Sequence, residues 1–285
     1  METDLKIEIQ RNFVRIDEGQ VHYRAVGSLE SKSRALVMIH ASPASAYSLQ
    51  PLIRALALRG RIPIYAPDTL GNGDSCKPDT NAPDISYYAD ALVRQLDALG
   101  INEVDIYGTH TGGSIAMELT IQHPTRVRRL IIDGIGLYSE EEKIDMLENY
   151  APEVKPDLMG SQFNWAWHFV RDQNFFFPWY KRVPEHQRNI GMSDPGRTHD
   201  TVVEVLKSIT TYHHAYRAAF RYPKKERLRL IKNPILMIYE AHDPLYKYRE
   251  IALNAAVKVT EGRLEHGSTL EDKAKLLDEW LGTTV

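Results

Sequence analysis

The chain has 285 residues, 43% of them apolar, which is enough to bury the core of one large α/β domain carrying an insertion. A formal charge of -3, with acids and bases interspersed, offers no basic footprint and argues against nucleic-acid partners. The single cysteine, Cys76, excludes an internal disulfide and fits a reducing compartment.

The opening residues 1–6 lack the basic start and apolar run of a signal peptide, and no later stretch reaches about 18 apolar residues. A soluble, cytoplasmic protein with no membrane partner is therefore expected. Residues 7–16 and 20–27 read as extended segments joined by the turn-prone Asp17-Glu18-Gly19, an antiparallel pair. Apolar segments then alternate with stretches of helical periodicity, the pattern of a mostly parallel sheet flanked by helices. Strands are expected over 35–39, 62–66, 103–107 and 127–132, with helices around 45–58, 85–99 and 111–122, the last closed by Pro124. From about 136 to 223 the strand rhythm disappears and aromatics gather, among them Phe163, Trp165, Trp167, Phe169 and Trp179. This predicts a helical cap over 136–223, inserted into a core of 1–135 and 224–285. Most of its aromatics are expected to form the cap's own core and the rest to line an apolar pocket. Strand rhythm returns over 234–239 and 256–260, with helices around 246–254 and 270–281.

The densest signal is the run Val104-Asp105-Ile106-Tyr107-Gly108-Thr109-His110-Thr111-Gly112-Gly113, which reads strand, sharp turn, helix. Such an elbow strains the backbone of its apex residue and needs small neighbours two positions away so that strand and helix can approach. Gly108 and Gly112 meet that need and place His110 at the apex, a residue that tolerates positive φ better than most.

This run resembles the nucleophile elbow of the α/β-hydrolase superfamily, with histidine where Gly-x-Ser-x-Gly has serine, and the resemblance covers essentially the whole chain. His40-Ala41-Ser42-Pro43 is similar to the family's His-Gly-x-Pro loop, with Ala41 for glycine. The resemblance implies oxyanion-hole amides at Ser42 and at Thr111, the residue after the apex. Asp68-Thr69-Leu70-Gly71-Asn72-Gly73-Asp74-Ser75 resembles a family loop that shapes the rim of the site. Glu240-Ala241-His242-Asp243-Pro244 resembles the turn that delivers the triad acid, implying Asp243, with Asp133 at the end of the preceding strand as its rival. Leu264-Glu265-His266-Gly267-Ser268 resembles the histidine loop and implies His266 as general base.

An imidazole is a competent nucleophile near its ordinary pKa of about 6.5, so covalent catalysis through His110 is chemically open. The far ring nitrogen, however, lies about 2 Å beyond a serine oxygen, which misaligns the oxyanion amides. The expectation that fits better is that His110 and His266 face one another, share a proton and activate a water. A divalent metal held by the two histidines and a carboxylate is disfavoured, because an Asp243 that orients His266 cannot also be a ligand; a cap histidine, His168, His213 or His214, would have to complete the set. No cofactor is implied. The expected function is hydrolysis of a small carbonyl compound, an ester, lactone or carbon-carbon bond, with an apolar or aromatic body and with His40, Tyr47 and Trp167 as candidate substrate contacts. Alternatives are a cofactor-free lyase, dehydratase or oxygenase on the same fold and a non-enzymatic small-molecule binding protein. Homo-oligomerisation is left open.

Overall fold

The computed structural model describes residues 7–29 and 34–282. Strand β1 (Gln10–Ile16) pairs antiparallel with β2 (Gly19–Val26) around the expected turn, and β2 pairs antiparallel with β4 (Ile64–Pro67). From there β3 (Ala35–Ile39), β5 (Val104–Thr109), β6 (Val127–Asp133), β7 (Ile235–Glu240) and β8 (Val259–Leu264) run parallel. The sheet has eight strands in the order β1-β2-β4-β3-β5-β6-β7-β8, the mostly parallel α/β architecture expected from the sequence. The central strands are apolar and buried on both faces: every residue of β3 is buried, as are five of the six in β5.

Two helix layers cover the sheet. Helices α1 (Gln50–Leu58) and α10 (Leu270–Gly282) pack on one face against Met38, Ile64, Ile131 and Leu236. Helices α2 (Ile85–Ala98) and α3 (Thr111–Gln122) cover the other face, against Val37, Ile106, Leu130 and Met237. The terminal strand is the least well foreseen. Residues 256–260 were the expected span, whereas β8 starts at Val259 and only Gly262 and Leu264 in it are buried, because an edge strand carries little apolar alternation. The fourth strand likewise starts two residues late, at Ile64: Pro63 has no amide to give to a ladder.

Between β6 and β7 the chain makes a helical excursion, α4 (Glu140–Asn149), α5 (Ser161–Phe175), α6 (Pro195–Lys207) and α7 (Tyr212–Arg221), before α8 (Lys224–Leu228) and, after β7, α9 (Arg249–Ala255). Its aromatics form a separate core in which Phe169 stacks on Trp165 at 4.8 Å and meets Trp179 edge-on at 5.2 Å, with Tyr150, Tyr216 and Phe220 beside them. Burying one such ring contributes about 1.5–3 kcal/mol, so the excursion is stabilised largely by its own contacts.

Candidate active site

The excursion is tied down over the carboxyl ends of the strands. Ser208 Oγ donates to the Pro43 carbonyl at 3.2 Å, Thr211 donates to the carbonyl of Gly71, Lys207 pairs with Asp74 at 3.0 Å, and Arg188 reaches the His242 carbonyl at 3.3 Å. These contacts tie the excursion to three loops: 40–43, the rim 68–76 and the acid turn 240–244.

The elbow is as tight as its glycines require. A Cβ on Gly108 would overlap the carbonyl of Gly112, and one on Gly112 would overlap the carbonyl oxygens of Ile39 and His40. At the apex His110 has φ 50° and ψ -107°, and it is the only non-glycine residue with positive φ among those described. Holding that conformation costs on the order of 1–3 kcal/mol, which the packed strand and helix on either side must supply.

The orientation of the apex side chain decides what the site can do. His110 Nε2 lies 2.8 Å from Asp243 Oδ2. Elbow and acid turn stand at the ends of β5 and β7, two strand spacings or about 10 Å apart, with β6 between. An imidazole and a carboxylate together just span that distance; a side chain as short as serine would not. The gap is crossed above Gly134, directly after β6. A Cβ there would lie 3.1 Å from His110 Nε2 and 3.2 Å from Asp243 Oδ2, and its φ of 71° also favours glycine. Asp243 Oδ1 accepts from the Leu245 amide at 2.7 Å, so each carboxylate oxygen has a donor.

Electrostatics follow from the pairing. Partial burial opposes the His110 cation, but the Asp243 carboxylate and its hydrogen bond outweigh it and hold the imidazole above its ordinary pKa. Burial would lift the Asp243 carboxyl; the His110 cation, its hydrogen bond and the more distant Arg188 guanidinium reverse the sign and hold it below the usual carboxylate range. The His110 side chain remains 40% exposed, and its other ring nitrogen, Nδ1, faces away from the carboxylate.

Comparisons with known proteins agree with the fold. Residues 34–266 match the family model of the alpha/beta hydrolase fold. The chain belongs to the alpha/beta-hydrolase family. It is 36% identical over 121 residues to a 2-hydroxymuconate semialdehyde hydrolase of a Pseudomonas species, a stretch covering 41% of this chain and 42% of that protein. It is 33% identical over 129 residues to a soluble epoxide hydrolase of a Corynebacterium species, covering 45% and 42%. The aligned stretches thus span less than half of those relatives. Among solved structures, an alpha/beta hydrolase from a Medee basin deep-sea metagenome library superposes with TM-score 0.74 at 16% identity, covering 96% of this chain and 98% of that one. Epoxide hydrolase A from Mycobacterium thermoresistibile gives 0.72 at 18%, covering 96% and 97%.

In this alpha/beta hydrolase several residues singled out from sequence stand elsewhere than expected. His266 lies in an exposed loop, and Asp243, the carboxylate expected to orient it, is bonded through Oδ2 to His110. The two-histidine shared proton therefore has no counterpart in the structure. Asp133, the rival acid, accepts from Tyr107 and pairs with Lys273 at 2.6 Å, while only its backbone carbonyl meets the His110 amide, at 3.2 Å. His40 is buried and structural: Nδ1 meets the Ala41 carbonyl at 2.9 Å and Nε2 accepts from the Thr69 amide at 2.9 Å, with burial pushing its pKa down. Tyr47 donates to Asp200 of α6 at 2.7 Å and so joins excursion to core. Trp167 is 44% exposed on α5, outside the aromatic core.

Ser42 and Thr111 are buried beside the elbow, and the Thr111 amide, first in α3, has no acceptor within its own helix. The rim loop is held by Asp68, which accepts from the amides of Ala46 at 2.8 Å and Asp74 at 2.9 Å and pairs with His22 at 2.8 Å. Among the described residues, His22, Asp68 and Asp74 are also the one set of three ligand-type side chains close enough to share an ion. The metal set considered from sequence, built on His110 and His266, is not assembled. A 350 Å³ cleft lies further along α3, around Glu118, Arg221 and Arg227, and includes neither His110 nor Asp243. Sequence reasoning missed Gly134 and Lys273. For Gly134 the signal was available: a glycine directly after a strand-end aspartate, in the one place where a side chain would block the crossing.

Proposed function

We propose that the protein is a hydrolase of a small carbonyl compound, an ester, lactone or carbon-carbon bond with an apolar or aromatic body, in which the His110–Asp243 dyad acts as general base on water. The observation that carries this reading is the 2.8 Å bond from Nε2 to Asp243, which fixes the tautomer. With Nε2–H donating to the carboxylate, Nδ1 holds the lone pair and is the reacting atom. It accepts a proton from a water whose oxygen adds to the substrate carbonyl carbon, and the resulting oxyanion is stabilised by the amides of Ser42 and Thr111. As the carbonyl re-forms, the bond to the leaving group breaks and the imidazolium returns its proton to that group. No acyl-enzyme forms in this scheme. Nδ1 is flanked by the ring carbon that carries Cβ, which hinders attack on a carbonyl carbon far more than it hinders proton transfer. The helical excursion serves as the cap that keeps bulk water off this chemistry, through its ties to Pro43, Gly71 and His242.

A panel of p-nitrophenyl esters, lactones and aryl diketones tests the class, with intact-protein mass spectrometry on rapidly quenched turnover. Hydrolysis without a mass adduct is expected. An acyl group on His110 would overturn the water mechanism, and silence across the panel would overturn the hydrolase reading. That silence would instead favour a second reading: a carboxylate-oriented base at an elbow whose apex is not serine or cysteine equally suits abstraction of a substrate C–H proton, as in a lyase, dehydratase or cofactor-free oxygenase.

A further inference from the structure

Behind the dyad lies a second charged cluster that the scheme above does not use. Lys273, in the first turn of α10, is largely buried, with its side chain 13% exposed. Its ammonium pairs with Asp133 Oδ2 at 2.6 Å and also with the carboxylate of Glu240, and Tyr107 donates to the same Asp133 oxygen. Glu240 in turn holds His242 at 3.0 Å. The cluster lies at the ends of β6, the strand that the dyad crosses, and β7, the strand that carries its acid turn, and Asp133 touches the apex through its carbonyl. A lysine this deep stays charged only because two carboxylates face it: burial disfavours the cation, and Asp133, with Glu240, outweighs that and holds it well above its ordinary pKa.

We propose that Lys273 is a positioning residue for His110, its ammonium opposing the charge of the Asp133 and Glu240 carboxylates it pairs with, so that the imidazole responds chiefly to Asp243. The charged groups that act on the imidazole are Asp243 on the acid turn, Asp133 on β6 and Lys273 on α10, with Glu240 on β7 acting through Lys273 and Arg188 of the excursion through Asp243. Of these Lys273 is the one cation facing His110 from the sheet side. Without it, Asp133 would add a second anion and His110 would bind its proton more tightly, leaving less free base at neutral pH.

This inference rests on reading His110 as the base, yet its test needs no turnover. The His110 titration midpoint is followed by NMR of the ring protons, assigned by comparison with His110→Ala. In Lys273→Met the midpoint is expected to rise by about one unit, a tenfold gain in proton affinity. Lys273→Arg should keep the wild-type midpoint, and the double variant Lys273→Met with Asp133→Asn should return most of the way to it. A folded Lys273→Met with an unmoved or lowered midpoint overturns the proposal, as does an arginine variant that shifts as far as methionine. Should the methionine variant not fold, Asp133→Asn reads the same balance from the other side: the midpoint must fall, and constancy there overturns the proposal. An inactive wild type that titrates as described would instead fail the hydrolase reading and leave this one standing.

Discussion

His110 stands at the end of β5, a central strand buried on both faces, whereas His266 follows β8, an edge strand with two buried residues. The first histidine is locked by backbone strain, by glycines that admit no side chain, and by a carboxylate at 2.8 Å. The second sits in a run of exposed residues, 265–272, with a glycine at φ 90° beside it. The sequence alone ranks them the other way, since a histidine loop after the last strand is where the family resemblance puts the base. The difference teaches that a long side chain at the apex can reach the acid directly and leave the loop histidine without its acceptor.

The largest effect expected from this contrast is at the dyad. His110→Ala should lower kcat/KM by about a thousandfold, within the range that general-base removal brings, and Asp243→Asn by an amount approaching it because the wrong tautomer is then allowed. Steady-state kinetics on whichever panel substrate is turned over measures both. Neither variant should lose much stability, since the imidazole is 40% exposed and its ion pair is partly screened. If activity survived either change, the elbow histidine would be a tenant of the site and not its base.

The elbow was legible because its constraint is local: Gly108 and Gly112 must be small whatever else the protein does, and that rule fixes the register of His110. Helix α3 and strand β3 have the residue bounds expected from their apolar pattern. The partner of Asp243 was not legible, because it depends on a side chain crossing β6, a contact between residues 133 positions apart that periodicity cannot express. His40 and Trp167 failed for a related reason. Residue type suggested a pocket, whereas burial put His40 under the rim loop and left Trp167 on the outside of α5. Lys273 was hidden by its setting in an amphipathic helix, where a lysine ordinarily reads as solvated surface.

A second, smaller effect tests the crossing itself. Gly134→Ala adds a methyl group 3.1 Å from the imidazole and 3.2 Å from the carboxylate, at a φ of 71° that alanine adopts poorly. About 1–2 kcal/mol of stability should be lost to the backbone alone, read as a lower midpoint of denaturant unfolding. Activity should fall further than stability, by about a hundredfold, since a displacement of about 1 Å in the dyad is enough for that. A variant that loses stability but keeps its rate would mean that the ring and the carboxylate need not touch during turnover.

The pH dependence sharpens the same point with a smaller change. Because the His110 pKa is raised, kcat/KM should climb with pH through a midpoint above 6.5, as the imidazolium gives up its proton and becomes a base. Asp243→Asn should move that limb downward in pH while lowering the plateau. Stability runs the opposite way. The ion pair favours the folded state fully below the histidine's unfolded pKa and is lost as pH rises through the folded one, while the lowered Asp243 pKa adds stability above its unfolded value that is lost as pH falls through the folded one. The dyad thus stabilises most between the two carboxyl and imidazole ranges, in mildly acidic solution, and catalyses best above them.

The smallest expected effect is the most decisive for the comparison. His266→Ala should leave kcat/KM within about twofold and stability within about 0.5 kcal/mol, the usual range for an exposed side chain without specific contacts. Asp243 Oδ2 is occupied by His110 and Oδ1 by the Leu245 amide, so Asp243 cannot orient His266 unless the elbow releases it. A large loss of rate in His266→Ala, with His110→Ala retaining activity, would show that the loop closes onto Asp243 during turnover and displaces the elbow ring. Equal losses in both would instead restore a two-histidine mechanism, with the ring exchange between them as a step on its path.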